Sequence, residues 1–178
     1  MSQRDAFHPT TADSGQSLTS TEFRGLMGEW STGVTVVTSQ GEHGPSGFTA
    51  NAITSVSLTP PLLLICFDLS VRTLEAVRRS GRCCLNFLAA DQVDLSTRFA
   101  GKDAPAAKFA ECRYEMKLGV PVLAGVVAYL ICQAGQEIAI GDHVVHVARP
   151  LRGGRSQNRE PLVFFRSGYR QLVGGGLD

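Results

Sequence analysis

Only a few kinds of side chain can do chemistry, and most of their usual groupings are missing from this chain. Nucleophilic catalysis needs a serine or cysteine beside a base. There is no G-x-S-x-G elbow, and the chain has only four histidines: His8, His43, His143 and His146. A metal site needs ligands that converge on one point. His143 and His146 lie in a strand-like run, where odd and even positions face opposite ways, so they do not converge. The chain has no C-x-x-C pair, no Walker loop and no G-x-G-x-x-G after a strand. Gly153-Gly154 follows a strand but opens no helix. What it does have is a run of hydroxyls and amides. Thr32, Thr35 and Thr38 come first, then TANAITSVSLTPP, with Thr49, Asn51, Thr54, Ser55 and Ser57. These groups, together with backbone N–H, suit a neutral-to-anionic ligand rich in acceptors. A flavin has that character. Its ring edge takes donors and acceptors, its ribityl chain takes hydroxyl partners, and its phosphate takes Ser, Thr and N–H groups. The phosphate has a place at Ser70 to Thr73, the N-terminus of a short helix, where the helix dipole favours an anion and Arg72 adds charge. Ordinary strand threonines and a polar hairpin would leave the same residues, so composition keeps both readings open.

The elements that must position these groups follow from periodicity. Thr19-Ser20-Thr21-Glu22 supplies capping hydroxyls and an acidic first turn. Phe23, Leu26, Met27 and Trp30 then mark one helix face, with Trp30 as packing and Gly33 as the stop. Val34 to Thr38 is β-branched and reads as a strand. Gln40 to Pro45 reads as a turn, Gly47 to Leu58 as a second strand, and Leu62 to Asp68 as a third, entered through Pro60-Pro61. Leu74 and Val77 define a short helix stopped by Gly81. Arg82 to Leu88 is a strand, and Asp91 caps a helix bearing Leu95 and Phe99. Residues 101–119 have no strong pattern and read as a surface excursion. Val126 to Cys132 and Ile138 to Arg149 are two long strands, and Pro161 to Arg166 is the last. Strands this close, with helices that do not alternate with them, predict a mainly β, antiparallel barrel with a few short flanking helices.

The bulk numbers narrow the partners. At 178 residues and 43% apolar, the chain suits one domain with a sizeable core. The expected division is a disordered tail over 1–18, the domain over 19–172 and a flexible end over 173–178. The net charge of +1 gives no pull toward nucleic acid or an anionic membrane. No apolar run reaches the roughly 20 residues of a bilayer span, and no signal-peptide core opens the sequence. The expectation is a cytoplasmic protein. Five cysteines without paired spacing argue for reduced thiols, mostly acting as small core hydrophobes.

The order of the motifs carries more. FRGLMGEWSTGVTVVTS, GFTANAITSVSLTPPLLLICFD, CCLNFLAADQVDLSTRFAG, GVPVLAGVVAYLICQ, IAIGDHVVHVARP and PLVFFRSGYRQL resemble the short-chain flavin reductases, the small partners of two-component flavin-dependent monooxygenases. The resemblance runs from about Phe23 to Leu172. It implies a split β-barrel of the Greek-key type, a homodimer that binds FMN or FAD near the subunit interface. It also implies an activity: NADH or NADPH reduces the flavin, which then passes to a separate monooxygenase. Carried onto this chain, Thr32, Gly33, Val34, Thr35, Thr49, Ala50, Asn51 and Ala52 would line the ring and ribityl portions. Ser55, Val56 and Ser57 would continue that wall. Asp68, Ser70 and Thr73 would lie near the phosphate, with Asn86 and Phe99 closing the pocket. His143, in G-D-H, would meet the nicotinamide, with Tyr169 packing nearby. The absence of an Arg pair for a 2′-phosphate leans toward NADH. One departure is Ala52, where many members carry Ser. A non-catalytic flavin carrier on the same barrel is the alternative.

Overall fold

The computed structural model describes residues 17–172, and within them the route of the chain forces a closed shape. In chain order the elements are α1 (Ser20–Met27), β1 (Thr32–Gly33), β2 (Thr35–Gly41), β3 (Gly44–Ala50), β4 (Ile53–Leu58), β5 (Pro61–Asp68), α2 (Arg72–Ser80), β6 (Arg82–Phe87), α3 (Val93–Ala100), α4 (Pro105–Phe109), β7 (Tyr114–Lys117), β8 (Val120–Leu123), β9 (Ala128–Ile140), β10 (His143–Arg155), β11 (Val163–Phe165) and β12 (Gly168–Arg170). Seven strands form one antiparallel sheet in the order β3-β2-β6-β9-β10-β5-β4. Its two edge strands, β3 and β4, are consecutive in the chain and separated only by Asn51-Ala52. Two residues bridge the edges only if the sheet curls until they nearly meet. Beside it lie the small sheets β1-β11-β12 and β7-β8. The mainly β, antiparallel split barrel with short helices is as expected. The predicted tail falls almost wholly outside the described residues, and the stretch 173–178 falls entirely outside them.

Local chemistry explains where elements begin and stop. Thr19 and Glu22 close a capping box at α1, with the Thr19 hydroxyl accepting from the Glu22 N–H at 3.3 Å. The helix ends at Gly28, earlier than the Gly33 expected from the apolar spacing. That spacing marks an exposed face: α1 buries none of its residues and Trp30 is 70% exposed, so the expected packing role for Trp30 does not hold in the single chain. Gly81 ends α2 in the left-handed conformation, φ 66°, as its position predicts. Asp91 does not cap α3. It pairs with Arg159 at 2.9 Å, and Gln92 takes the cap position. The single strand expected over Gly47 to Leu58 breaks at Asn51-Ala52, and the turn expected at 40–45 shrinks to Glu42-His43. Gly141-Asp142 likewise forms a tight turn inside the strand expected over Ile138 to Arg149, with Gly141 at φ 59°. Residues 101–119 are not a bare excursion: they hold α4 and β7.

The core fills one face of the curled sheet. Along β5, Leu63, Ile65 and Phe67 are buried, while Leu62, Leu64 and Cys66 are half-exposed, the alternation a half-covered strand requires. Leu74 and Val77 of α2 pack onto that buried face. Cys83, Cys84 and Cys132 are buried free thiols, and burial pushes the Cys84 and Cys132 thiols up to about 12. Cys66, expected in the same class, is only half-buried.

Candidate active site

Three hollows meet along the end of β3. The largest is a cleft of about 700 Å³, walled by Met27, Trp30, Thr32, Gly33 and Thr35 on one side and Asn51 to Thr54, Leu64 and Cys66 on the other. A small hollow of about 200 Å³ lies between Val34, Thr49 to Asn51, Ser96, Phe164 and Tyr169. A cavity of about 450 Å³ opens at the N-terminus of α2, bounded by β3, Asp68 to Thr73, the end of α3 and Lys108 of α4. Asn51 belongs to both cleft and hollow, and Thr49 to both hollow and cavity. The wall is therefore continuous, because Thr49, Ala50 and Asn51 follow one another where β3 leaves the sheet. It is lined mainly by apolar groups, hydroxyls and amides.

Eight of the residues expected at the ring and ribityl portions gather here. Thr32, Gly33, Thr35, Asn51 and Ala52 line the cleft, and Val34, Thr49 and Ala50 line the hollow. The Thr32 hydroxyl is buried and has no hydrogen-bond partner among the described residues. A buried hydroxyl without a partner is costly, so a ligand rich in acceptors fits this cleft. Thr49 is partly committed: its hydroxyl donates to the Ser96 carbonyl at 2.7 Å. Ser55, Val56 and Ser57 line none of the three hollows. They belong to β4, an outer strand that is largely exposed, so they do not continue the wall as the resemblance implies.

The expected phosphate residues do reach the cavity, but their polar atoms are engaged. The Asp68 carboxylate accepts from both the Ser70 hydroxyl and the Ser70 N–H at 2.7 Å. Those bonds hold its carboxyl below the usual range, with His143 contributing less. The buried Thr73 hydroxyl pairs with that of Ser46 at 2.9 Å. The basic side chains around the cavity are Arg72, Lys102 and Lys108. Arg72 is visible in the sequence. The lysines are not, because nothing in the pattern of 101–119 folds them back onto α2.

Phe99 lines the cavity. It is fully buried, sits edge-on to Phe109, and lies so close to Gly47 that a β-carbon there would come within 2.8 Å of its ring. Asn86 does not close any pocket. It is wholly buried between β2 and β8, away from all three hollows.

The G-D-H turn lies next to Asp68, which lines the cavity. His143 pairs across the sheet with Asp68, and the Leu69 N–H donates to the Asp142 carbonyl at 3.1 Å. His143 Nδ1 lies 2.7 Å from Asp142 Oδ1, a contact that lowers the Asp142 carboxyl. A carboxylate only accepts, so in this bond Nδ1 carries a proton, and Nε2 is the ring nitrogen not engaged by Asp142. Tyr169 lines the small hollow, where its hydroxyl donates to Ser96 Oγ at 2.9 Å and its ring meets Phe164. His143 and His146 point to opposite faces, as the strand period requires, and no metal-binding cluster occurs among the described residues.

A split barrel with a polar, largely preformed track along one strand end defines a class of small-ligand-binding barrels. The comparisons name the family. Residues 27–173 match the family described as Flavin reductase like domain. The FMN reductase (NADH) RutF of Serratia proteamaculans is 33% identical over 153 residues, 85% of this chain and 87% of that protein. The flavin-dependent monooxygenase reductase subunit HsaB of Mycobacterium tuberculosis is 35% identical over 150 residues, 83% of this chain and 79% of that protein. The NADH:FAD oxidoreductase SgcE6 of Streptomyces globisporus C-1027, solved with NAD and FAD fragments, superposes with a TM-score of 0.82 at 31% identity, covering 89% of this chain and 94% of that one. The chain belongs to the flavin reductase-like family and is an NAD(P)H-dependent flavin reductase.

Proposed function

We propose that the chain reduces FMN or FAD with NADH in preference to NADPH, and hands the reduced flavin to a separate monooxygenase in the cytoplasm. The observation that carries this reading is the continuous wall from Thr32 through Asn51 to the α2 cavity, with the unpartnered Thr32 hydroxyl at one end and basic side chains at the other. When bound, the two cofactors supply the hydride donor and acceptor. The chain's own work is to bind, orient and exclude water. Met27, Trp30, Leu64 and Cys66 give the cleft apolar sides that shed water around a planar ring. Thr32, Thr35 and Asn51 present the polar groups that fix its orientation. His143, with Nδ1 tied to Asp142 and paired across the sheet with Asp68, would position a nicotinamide through Nε2, and Tyr169 backs the small hollow. No strongly shifted acid is needed.

The protein works as a homodimer in this reading. The apolar face of α1 and the outer residues of β4 are exposed in the single chain and border the cleft, which supports a second copy packing there.

The test is NADH consumption in air with FMN, FAD, riboflavin or no flavin, run on wild type and His143→Ala. Turnover should depend on added flavin. His143→Ala should raise the KM for NADH about tenfold while leaving flavin affinity unchanged, the loss expected for one hydrogen bond. Clear flavin binding without turnover by either nicotinamide would instead indicate a flavin carrier. Equal losses in NADH use and flavin affinity would remove His143 from the nicotinamide role.

A further inference from the structure

The two walls of the cleft belong to different sheets. Thr32 and Gly33 form β1, in the small sheet β1-β11-β12. Met27 and Trp30 stand on the same side, next to Gly28 and Glu29, and the Gly28 carbonyl accepts from the Arg166 N–H of the β11–β12 turn at 2.9 Å. Asn51 and Ala52, opposite, follow β3 of the seven-stranded sheet. The width of the cleft therefore depends on how the small sheet is held. Backbone bonds hold its inner side: the Val34 N–H donates to the Leu162 carbonyl at 3.1 Å, and the Leu162 N–H to the Leu88 carbonyl at 2.9 Å. Its outer edge is β12. There, among the described residues, the one side-chain hydrogen bond to another element runs from the Tyr169 hydroxyl to Ser96 Oγ of α3 at 2.9 Å. Ser96 is fully buried, and its carbonyl takes the Thr49 hydroxyl of β3 at 2.7 Å. One residue thus ties the edge of the small sheet to β3 across the small hollow. From there the connection reaches both walls. Tyr169 stands opposite Phe164, and Phe164 opposite Thr32, in one cross-strand row. Thr49 lies two residues before Asn51.

We propose that Ser96 is a positioning residue of the reductase, the tether that fixes the separation of the Thr32 and Asn51 walls and so the fit of the cleft to a flavin ring. This rests on the reductase reading above and adds the residue that holds its site in shape. Ser96 acts through its two partners. Tyr169 also packs against Phe164 and the apolar cluster around Val34 and Leu162. Apolar packing is non-directional and lets a ring slide, whereas a hydrogen bond sets both a length and an angle. The second bond orients Thr49. Its hydroxyl spends its only proton on the Ser96 carbonyl, so toward a ligand in the hollow it can only accept.

The test uses riboflavin, which reports the grip on the ring and ribityl chain without a phosphate. Its affinity is read by fluorescence quenching for wild type, Ser96→Ala, Tyr169→Phe and the double variant, with a urea titration of each to count only folded molecules. Each single variant should weaken riboflavin by about fivefold, the loss of one hydrogen bond. The double variant should bind no worse than either single one, because both remove the same bond. The visible absorption band of the bound flavin should lose its vibrational shoulders in the variants, the mark of a looser, wetter ring. A residue that only supports folding would lower the urea midpoint and leave affinity and spectrum alone. Wild-type affinity and spectrum in folded Ser96→Ala overturn the proposal, and so do losses that add in the double variant. Tyr169→Phe deletes the bond from the half-buried side, so it decides the matter by the same readings if Ser96→Ala does not fold. Flavin-dependent NADH consumption by wild type tests the reductase reading separately, since that result does not depend on any variant.

Discussion

Asn86 uses nearly all of its hydrogen-bonding capacity inside the protein. Its Nδ2 donates to the Val36 carbonyl at 3.0 Å and to the Thr38 hydroxyl at 3.1 Å, and its Oδ1 accepts from the Leu123 N–H at 2.8 Å. It ties β6 to β2 and to β8, and it has no access to the hollows. Asn86→Ala would leave a buried N–H and a buried carbonyl unpaired, a change that costs on the order of 2–4 kcal/mol. Denaturant titration should show that loss, while flavin affinity per folded molecule stays the same. A fall in flavin affinity without a fall in stability would return Asn86 to the pocket. The sequence placed this residue in a strand correctly and still misread its surroundings, because an amide reads the same whether its partners are a ligand or groups on neighbouring strands. Thr32, Thr35 and Asn51 differ in position: they stand where strands begin and end, chain breaks are where barrels open, and all three line the cleft.

At the scale of elements, α2 is fastened to the β9–β10 hairpin by a charged pair over a buried histidine. Arg78 of α2 grips Glu137 of β9 through Nε at 3.0 Å and Nη2 at 2.9 Å. Below it, His146 of β10 is 2% exposed, edge-on to Phe67, with its Nε2 3.1 Å from Glu137 Oε1 but not aligned for a hydrogen bond. Burial lowers the His146 pKa below its ordinary 6.5, Glu137 opposes that, and Arg78 adds to it. Above pH 6.5 the imidazole is neutral in both folded and unfolded chains, and its contribution to stability is complete. As pH falls below 6.5 the unfolded chain binds a proton and the folded chain resists it. Stability is then lost down to the depressed folded pKa, at up to about 1.4 kcal/mol per pH unit. Urea unfolding at several pH values should show this slope in wild type and a flatter one in His146→Leu; equal slopes would rule His146 out as its source. The pattern of the sequence could put His146 on a strand and on the face opposite His143, since that needs only a period of two. The pair above it joins residues 59 positions apart, a meeting that only the curled sheet brings about. The same limit hid α4 and β7, whose short apolar runs become readable only once β8 and α3 are in place.

At the scale of the whole molecule, one face is left uncovered by the described residues. On α1, Phe23, Leu26 and Met27 are each about half exposed, Trp30 is more so, and Val56 and Leu58 of β4 are exposed as well. Fully covering one such side chain stabilises by roughly 1.5–3 kcal/mol, so a helix that leaves its whole apolar face in water gains little from this chain alone. Its connections back to the barrel are slight. Glu29 and Arg166 pair at 2.8 Å on the surface, where solvent screening leaves an ion pair weak, and the Arg166 N–H donates to the Gly28 carbonyl. The same periodicity that predicted the helix predicted a buried face, and in the proposed dimer a second copy would supply its cover. Phe23→Ser combined with Leu26→Ser removes two anchors that line none of the hollows. Light scattering should then give a monomer where wild type gives a dimer. Wild type should melt at a temperature that rises with protein concentration, and the variant at one that does not. Because Met27 and Trp30 wall the cleft, flavin affinity should fall with dimerisation even though no cleft residue has been changed. A variant that stays dimeric would mean that the apolar face of α1 is not the contact between subunits. A monomer that binds flavin as tightly as wild type would mean that one chain completes the cleft by itself.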